Sequence, residues 1–249
     1  MYTVFKFGGA SIRDVENIIN VGDILNFYAT NKLIIVFSAM GKVTNMLESV
    51  VESYIQKKPD PFTALQKVKD FHSNILNDLF DPKHYIFDEV NNLFVEIEWV
   101  LEEEPNQDYA YFYDQIVSIG EFLSTKIMSA YLQKIGFKNS WLDVRDVIKT
   151  DNSYRNAKVD WDLTLTCIKS QIKEKHCIVQ GFLGCTSENF TTTLGREGSD
   201  FTAAILAYAL EAKEVVIWKD VPGMMNSDPK HFEHSQLLEE ISFDEAIEL

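Results

Sequence analysis

Apolar residues near the start of the chain fall into two short runs, Thr3–Phe7 and Leu33–Phe37. Between them, Asp14–Tyr28 has the spacing of an amphipathic helix. A buried strand, a helix and a second buried strand form the βαβ unit from which parallel sheets are built. The pattern therefore predicts an α/β protein that begins with two parallel strands.

The middle of the chain has helical periodicity that proline interrupts at Pro59-Asp60-Pro61, Asp81-Pro82 and Glu104-Pro105. The predicted helices there are Asn45–Gln56, Phe62–Phe80, Ile86–Glu103 and Tyr113–Gln133. Further strands are predicted at Lys138–Leu142, Cys177–Val179 and Glu214–Trp218, and further helices at Phe201–Leu210 and Phe243–Leu249. Because no repeat, low-complexity tract or linker interrupts this order, we expect residues 1–249 to form one domain.

Composition narrows the class of partner. The 249 residues carry a formal net charge of −15, which would repel nucleic acid and anionic membranes. No apolar stretch reaches the roughly 18 to 20 residues of a membrane span, and no secretory leader precedes Lys6. The three cysteines lack Cys-x-x-Cys spacing, which favours reduced thiols in a cytoplasmic protein, and no Cys or His cluster indicates a protein metal site.

The first predicted strand runs directly into Gly8-Gly9-Ala10-Ser11 and carries Lys6. Glycines let the backbone approach a polyanion, a following helix start that is capped by Ser11 offers free N–H groups, and Lys6 supplies a positive charge. This segment is typical of a phosphate-binding turn. By itself such a segment is more often a plain tight turn beside a surface lysine.

A second glycine-rich segment follows the strand at Cys177–Val179. It runs from Gly181 to Asp200 and leads into an alanine-rich helix. Ser199 and Asp200 are predicted to cap that helix, and Gly195 and Gly198 would form a second anion-binding concavity with its first N–H groups. Two such turns in one domain predict two anionic ligands, or two ends of one.

At this point the sequence resembles the aspartate kinases of the amino acid kinase superfamily, most closely the monofunctional bacterial form. Five stretches match in the family's order: Lys6–Ser11, Ser38–Asn45, Ser118–Glu121, Gly195–Asp200 and Trp218–Pro229. Glu197 stands where the family more often has glycine. The resemblance implies a three-layer αβα sandwich around a mainly parallel sheet.

The resemblance also implies a reaction, the transfer of the γ-phosphoryl group of ATP, with Mg²⁺, to the side-chain carboxylate of L-aspartate. This is the first step of lysine, threonine and methionine biosynthesis. A carboxylate with a pKa of about 4 is already ionised at neutral pH, so the reaction needs no general base. By resemblance, Lys6, Gly8, Gly9 and Ser38 surround the transferred phosphoryl group, and Asp200 orients Lys6.

Recognition of a free amino acid requires an anion for its ammonium group and a cation for its α-carboxylate. Glu121 follows Gly120 within an apolar helical segment, where an unpaired carboxylate is costly, and Arg196 offers a planar fork for a carboxylate. We assign these two residues to those roles. Ser38, Thr44 and Ser199 complete the predicted aspartate site as hydroxyl groups. Without the resemblance, Glu121 could be an exposed helix residue, Arg196 a loop arginine and Thr44 an N-cap.

The nucleotide base and ribose are expected next to the strand Glu214–Trp218, because ligands of open α/β sheets bind beyond the carboxyl ends of strands. The residues assigned to this contact are Lys219, Asp220, Met225 and Lys230. Two of them depart from many relatives, which have a threonine in place of Lys219 and an aromatic residue in place of Met225.

The chain ends at Leu249, whereas relatives continue through a further nucleotide-contacting lysine and paired ACT regulatory domains. We therefore expect either a fragment or a short form that binds ATP weakly. A homo-oligomer is compatible with the sequence. Two alternatives stay open: a kinase that acts on glutamate, N-acetylglutamate, carbamate or a nucleoside monophosphate, and a non-catalytic module that binds nucleotide or aspartate.

Overall fold

The fold, taken from a computed structural model, is built around a five-stranded sheet. The structure describes residues 1–58, 60–219, 221, 223–227, 231–232 and 234–248. It divides into two compact units, Met1–Trp218 and Lys219–Leu249.

All five strands of the sheet are parallel. They are β1 (Tyr2–Phe7), β2 (Lys32–Phe37), β3 (Ser140–Leu142), β4 (His176–Gln180) and β7 (Glu214–Trp218), in the spatial order β3-β4-β2-β1-β7. A separate antiparallel hairpin consists of β5 (Leu183–Cys185) and β6 (Thr191–Thr193). The parallel order confirms the predicted α/β class, and it places Lys6 on β1 between Val36 of β2 and Ile217 of β7.

The helices of the first unit are α1 (Val15–Phe27), α2 (Val43–Gln56), α3 (Pro61–Leu79), α4 (Ile86–Glu102), α5 (Tyr109–Val117), α6 (Ile119–Lys134), α7 (Trp161–Gln171) and α8 (Gly198–Ala209). Four of them begin at aspartates that accept the backbone N–H three residues on: Asp14, Asp60, Asp108 and Asp160. These caps satisfy N–H groups that an α-helix leaves unpaired and so define where each helix starts.

The connections between strands give the layers. The chain moves in one direction across the sheet through α1 and α6, and in the opposite direction through α7 and α8. Because crossovers between parallel strands are right-handed, these two pairs of helices lie on opposite faces. Packing of α1 on α6 and of α7 on α8 agrees with this arrangement, which matches the expected αβα sandwich. Helix α2 packs on α3, α5 and α6, and helix α4 packs on α3 and α6.

Two local predictions were wrong, and two elements were missed. The predicted helix Tyr113–Gln133 is two helices, α5 and α6, which meet at Ser118, where the hydroxyl donates to the Gln115 carbonyl. Ser11 does not cap α1, since it lies in a 3-10 helix, Gly9–Ile12, and Asp14 is the cap. Helix α7 and the β5–β6 hairpin were not predicted at all.

The buried apolar core of the described residues runs from Val4 to Ala209 and therefore lies in the first unit. The second unit contains an antiparallel bridge between Met225 and Leu237 and the short helix α9 (Phe243–Glu248). In the described part of the chain, no helix has the length and apolar character needed to cross a bilayer.

Candidate active site

A cavity of about 390 Å³ opens at the carboxyl ends of β1 and β2, beside the start of α8. Its lining includes six residues that the sequence assigned to the site: Lys6, Ser38, Thr44, Glu121, Arg196 and Ser199. It also includes Gly195 and Gly198 of the predicted second anion-binding concavity, and four residues that have no assigned role: Tyr113, Arg155, Phe182 and Glu197. Parallel strands and a helix start thus bring together residues almost 200 positions apart.

Lys6 is the fixed positive charge of this cavity. Its Nζ lies 2.7 Å from Oδ1 of Asp200, in the first turn of α8, and its side chain is 7% exposed. A buried ammonium is stable only when it is paired, so Asp200 both holds and orients it. The sequence therefore predicted this pair of residues correctly as neighbours.

The turn after β1 packs against the turn after β2 through its backbone. A Cβ on Gly9 would lie 2.6 Å from the Ala39 carbonyl oxygen, and the N–H of Gly41 donates to the Gly9 carbonyl at 2.9 Å. A Cβ on Gly8 would lie 3.8 Å from Lys6 Nζ, so Gly8 borders the ammonium group. Gly9 is thus needed for packing, whereas Gly8 lies beside the charge.

Glu121 is a buried carboxylate in the first turn of α6, and 2% of the residue is exposed. Its Oε1 accepts the N–H of Ala39 at 3.3 Å, while its buried Oε2 has no hydrogen-bond partner among the residues that the structure describes. Burial raises the pKa of this carboxyl to about 8, although the Ala39 N–H opposes the rise. A buried acceptor without a partner beside a cavity indicates a site for a cationic group.

The predicted caps of α8 were wrong. The helix begins at Gly198 rather than after Asp200, and the cap position is Glu197, with a φ of 56°, whose side chain makes no capping hydrogen bond. This start depends on close packing, because a Cβ on Gly198 would lie 2.6 Å from the Phe182 ring and a Cβ on Gly181 2.5 Å from Ser199. Ser199 is buried and lines the cavity as predicted.

Arg196 precedes this helix start and is exposed. Within the described chain, its guanidinium has neither an ion pair nor a hydrogen bond. It is therefore a cation at the cavity that can bind an anionic ligand group without first breaking a contact within the protein.

Sequence reasoning missed Arg155 and Tyr113. The Arg155 guanidinium stacks on Tyr113 at 4.2 Å from the ring centre, and both line the cavity. Arg155 lies in a polar loop without a recognisable motif, and Tyr113 lay inside a predicted helix, so neither carried a signal in the sequence alone.

The residues assigned to the nucleotide base are in the second unit. Lys219 is exposed and Met225 is half-buried. Asp220 and Lys230 lie outside the described residues. Their assignment to adenine or ribose stays a prediction. Among the residues that are described, no group of three or more His, Cys, Asp or Glu side chains could hold a metal ion.

Comparisons of the sequence with known proteins all indicate the same family. The sequence profile of the amino acid kinase family matches residues 1–249. The chain is 34% identical to lysine-sensitive aspartokinase 3 of Escherichia coli over 99% of its own length and 55% of that protein. It is 33% identical to a chloroplastic bifunctional aspartokinase/homoserine dehydrogenase 1 of Zea mays over all of its own length and 28% of that protein. The chain thus spans about half the length of the bacterial relative.

Solved structures agree. The crystal structure of E. coli aspartokinase III in complex with aspartate and ADP superposes with a TM-score of 0.91 at 33% identity, over 100% of this chain and 56% of that one. An isopentenyl phosphate kinase shares the fold alone, with a TM-score of 0.55 at 14% identity, over 100% of this chain and 84% of that one. The match of the family profile to the full length, on a parallel α/β fold with glycine turns around a lysine, shows that this chain belongs to the amino acid kinase family.

Proposed function

We propose that this chain is the catalytic domain of an aspartate kinase. It transfers the γ-phosphoryl group of ATP to the side-chain carboxylate of L-aspartate and forms 4-phospho-L-aspartate, the first step of the aspartate family of amino acid biosynthesis. The E. coli protein that shares 34% of its residues is an aspartokinase, and its structure with aspartate and ADP supports these substrates. The proposal places the reaction in the cytoplasm.

The arrangement of charges in the cavity carries the proposal. Glu121 presents a buried carboxylate oxygen, Arg196 a guanidinium that no described residue pairs, and Lys6 an ammonium that Asp200 holds at 2.7 Å. A free α-amino acid with a second carboxylate offers an ammonium for Glu121, an α-carboxylate for Arg196 and a reacting carboxylate for the region of Lys6.

Phosphoryl transfer between two anions is limited by charge and position rather than by proton removal. The aspartate side chain is ionised at neutral pH, so it attacks without a base. Lys6 neutralises charge on the phosphoryl group, and the backbone around Gly8 lets that group approach it. The hydroxyls of Ser38, Thr44 and Ser199 orient the acceptor carboxylate.

Mg²⁺ fits this proposal as a partner of the nucleotide. Because the described residues contain no cluster of three or more ligand side chains, the phosphates would supply much of its coordination, as is usual for this ion. Asp200, which is 26% exposed, is the nearest carboxylate to Lys6 and the residue that would take part. When bound, Mg²⁺ supplies further neutralisation of phosphate charge.

An acceptor panel tests the proposal. ADP release is measured for the 249-residue chain with ATP, Mg²⁺ and one of L-aspartate, L-glutamate, N-acetyl-L-glutamate, carbamate or a nucleoside monophosphate. Hydroxylamine is added in parallel, because an acyl phosphate is converted into a hydroxamate that can be assayed by colour. We expect ADP and hydroxamate in equal amounts with L-aspartate alone.

The Asp200→Asn variant is the matched control, because it keeps the shape of the side chain and removes its charge beside Lys6. It should lower ADP release and hydroxamate together. Release of ADP with L-glutamate but not with L-aspartate would contradict the proposal, as would ADP release without hydroxamate. Calorimetric titration with L-aspartate separates absent binding from slow turnover.

A further inference from the structure

Arg155 holds a backbone conformation that only glycine adopts without cost. Its φ is 66°, in the left-handed region, where a non-glycine residue loses roughly 1 to 2 kcal/mol. Its side chain lines the same cavity as Glu121 and Arg196. A strained residue at a ligand cavity is a reason to look for a function of its side chain.

The strained backbone at Arg155 is held by hydrogen bonds to a buried carboxylate. Asp114 of α5 has no exposed surface, and its two oxygens accept the Arg155 N–H at 3.0 and 3.2 Å. They also accept the N–H and hydroxyl of Thr193, on β6, at 2.8 and 2.7 Å. The loop at Arg155 is thus tied to a helix and to the hairpin, so its position is defined by the core.

The guanidinium of Arg155 stacks on aromatic rings through its flat face, so most of its N–H donors are available to a ligand. The guanidinium lies 4.2 Å from the ring centre of Tyr113 and 5.3 Å from that of Tyr109. Among the described residues, its one hydrogen-bond partner is Glu48, at a long 3.4 Å. This ion pair is half exposed and therefore weak, and a carboxylate ligand can compete for the planar fork.

Tyr113 stacks with Arg155 and lines the cavity together with Glu121. Burial is the main reason why the pKa of the Tyr113 hydroxyl is raised, and the charges of Glu48, Arg155 and Glu121 all act on it. Tyr113, Arg155 and Glu121 all line the same cavity. An α-amino acid carries its ammonium and carboxylate on one carbon, and this cavity offers a group suited to each of them, Glu121 and Arg155.

We infer that Arg155 is a specificity-determining residue that, together with Arg196, binds the non-reacting α-carboxylate of the acceptor amino acid. The inference rests on the proposed function, since it concerns the same cavity and the same acceptor. It adds a second guanidinium to the acceptor site and assigns to it the selection of ligands with a free α-carboxylate.

The test compares two ligands on three proteins by calorimetry. The ligands are L-aspartate and its α-amide, which keeps the ammonium and the side-chain carboxylate but lacks the α-carboxylate charge. The proteins are the unchanged chain, Arg155→Gly and Lys57→Gly. Lys57 is a matched control, because it also is a basic residue with a left-handed φ, 58°, and an ion pair to a glutamate, Glu104, and it does not line the cavity.

We expect Arg155→Gly to weaken L-aspartate binding about tenfold and α-amide binding less than about twofold, the size of one lost charge-assisted contact. Lys57→Gly should change neither. Arg155→Lys keeps the positive charge but loses the planar guanidinium, so its affinity for L-aspartate should lie between those of the unchanged chain and Arg155→Gly. The melting temperature of Arg155→Gly should stay equal or rise, because glycine relieves the backbone, whereas loss of a purely structural residue would lower it.

An unchanged ratio of the two affinities in Arg155→Gly overturns the inference, as does an equal change in Lys57→Gly. A lower melting temperature with an unchanged ratio would indicate a structural role only. Absent ADP release, with the ratio shifted as expected, would overturn the proposed reaction and leave the role of Arg155 intact. If the unchanged chain does not bind L-aspartate, both fail.

Discussion

Lys6 owes its place to a central strand rather than to a mobile loop. It is held by β1 between two other parallel strands, and Asp200 contacts its ammonium at 2.7 Å. A charge fixed in this way needs no reorganisation when a phosphoryl group develops negative charge, which is the condition for electrostatic catalysis.

Replacement of this lysine should therefore affect turnover more than binding. We expect Lys6→Met to lower the turnover number at least about a hundredfold, or about 3 kcal/mol of transition-state stabilisation, with little change in L-aspartate affinity. Coupled ADP assays and calorimetry measure the two quantities. Lys213→Met, at an exposed position paired to Glu214, is the control. Turnover near that of the unchanged chain would remove Lys6 from the mechanism.

Glu121 should couple ligand binding to proton release. Its pKa in the free protein is about 8 because it is buried, so at pH 7 it is mainly protonated, yet it must be ionised to pair with an ammonium group. Binding of L-aspartate at pH 7 should thus release close to one proton, and affinity should rise with pH up to about 8.

Calorimetric titrations at pH 7 in buffers of different ionisation enthalpy measure this release directly. Glu121→Gln should bind L-aspartate at least about tenfold more weakly and without proton release, since the amide cannot ionise. Equal proton release by Glu121→Gln and the unchanged chain would show that another group titrates.

The same carboxyl should make the ligand-free protein less stable as pH rises. The pKa of Glu121 is raised from 4.5 to about 8 on folding, so its stabilising contribution is complete below pH 4.5 and is lost as pH rises through 8. Between pH 6.5 and 8, the free energy of unfolding should fall by up to about 1.4 kcal/mol per pH unit. Urea unfolding measures it. Glu121→Gln, or saturating L-aspartate, should flatten the profile.

At the scale of elements, two turns fit together through their backbones at the cavity edge. The turn after β1 can approach the turn after β2 only because Gly9 has no side chain. Both turns carry predicted site residues, so their fit controls the distance between Lys6 and Ser38. Close packing at an active site then serves position as much as stability.

Gly9→Ala and Gly8→Ala should separate packing from function. The Cβ of alanine at position 9 would lie 2.6 Å from a backbone oxygen, so Gly9→Ala should cost about 1 to 3 kcal/mol of stability. Gly8 has a φ of −73°, which alanine also adopts, and an added Cβ would meet its nearest atom, Lys6 Nζ, at 3.8 Å. Gly8→Ala should therefore leave stability unchanged. Differential scanning calorimetry compares them, and equal melting temperatures would contradict this account.

Over the whole molecule, the described core and the cavity both belong to the first unit. Core residues end at Ala209, and the last residue that lines the cavity is Ser199. The residues assigned to the nucleotide base are in the second unit, Lys219–Leu249. Aspartate binding and global stability should thus be separable from part of nucleotide binding.

A chain that ends at Trp218 tests this separation. We expect it to unfold cooperatively in urea and to bind L-aspartate within about twofold of the longer chain, because the cavity lining is intact. Affinity for a non-hydrolysable ATP analogue should fall about tenfold or more, the size of one lost charge-assisted contact. Unchanged affinity for the analogue would contradict the assignment of the base to the second unit.

Several features were determined by the sequence alone, because they depend on neighbours along the chain. Strand and helix periodicity predicted the parallel α/β class, and β7 was predicted residue by residue. The resemblance to a family, carried by the glycine turns and the strand-borne lysine, predicted Lys6, Ser38, Glu121 and Arg196 at one site, and all four line one cavity. The apolar helical segment around Glu121 agreed with its burial.

Only the tertiary structure decided the features that depend on residues far apart in the sequence. Asp114 accepts a hydrogen bond from Thr193, 79 positions away, and Glu48 accepts one from Arg155, 107 positions away. The break between α5 and α6 and the start of α8 at Gly198 likewise follow from local fit against other elements. Periodicity and capping preferences describe a few turns of chain, whereas these contacts form only when the sheet has brought distant segments together, so no local pattern encodes them.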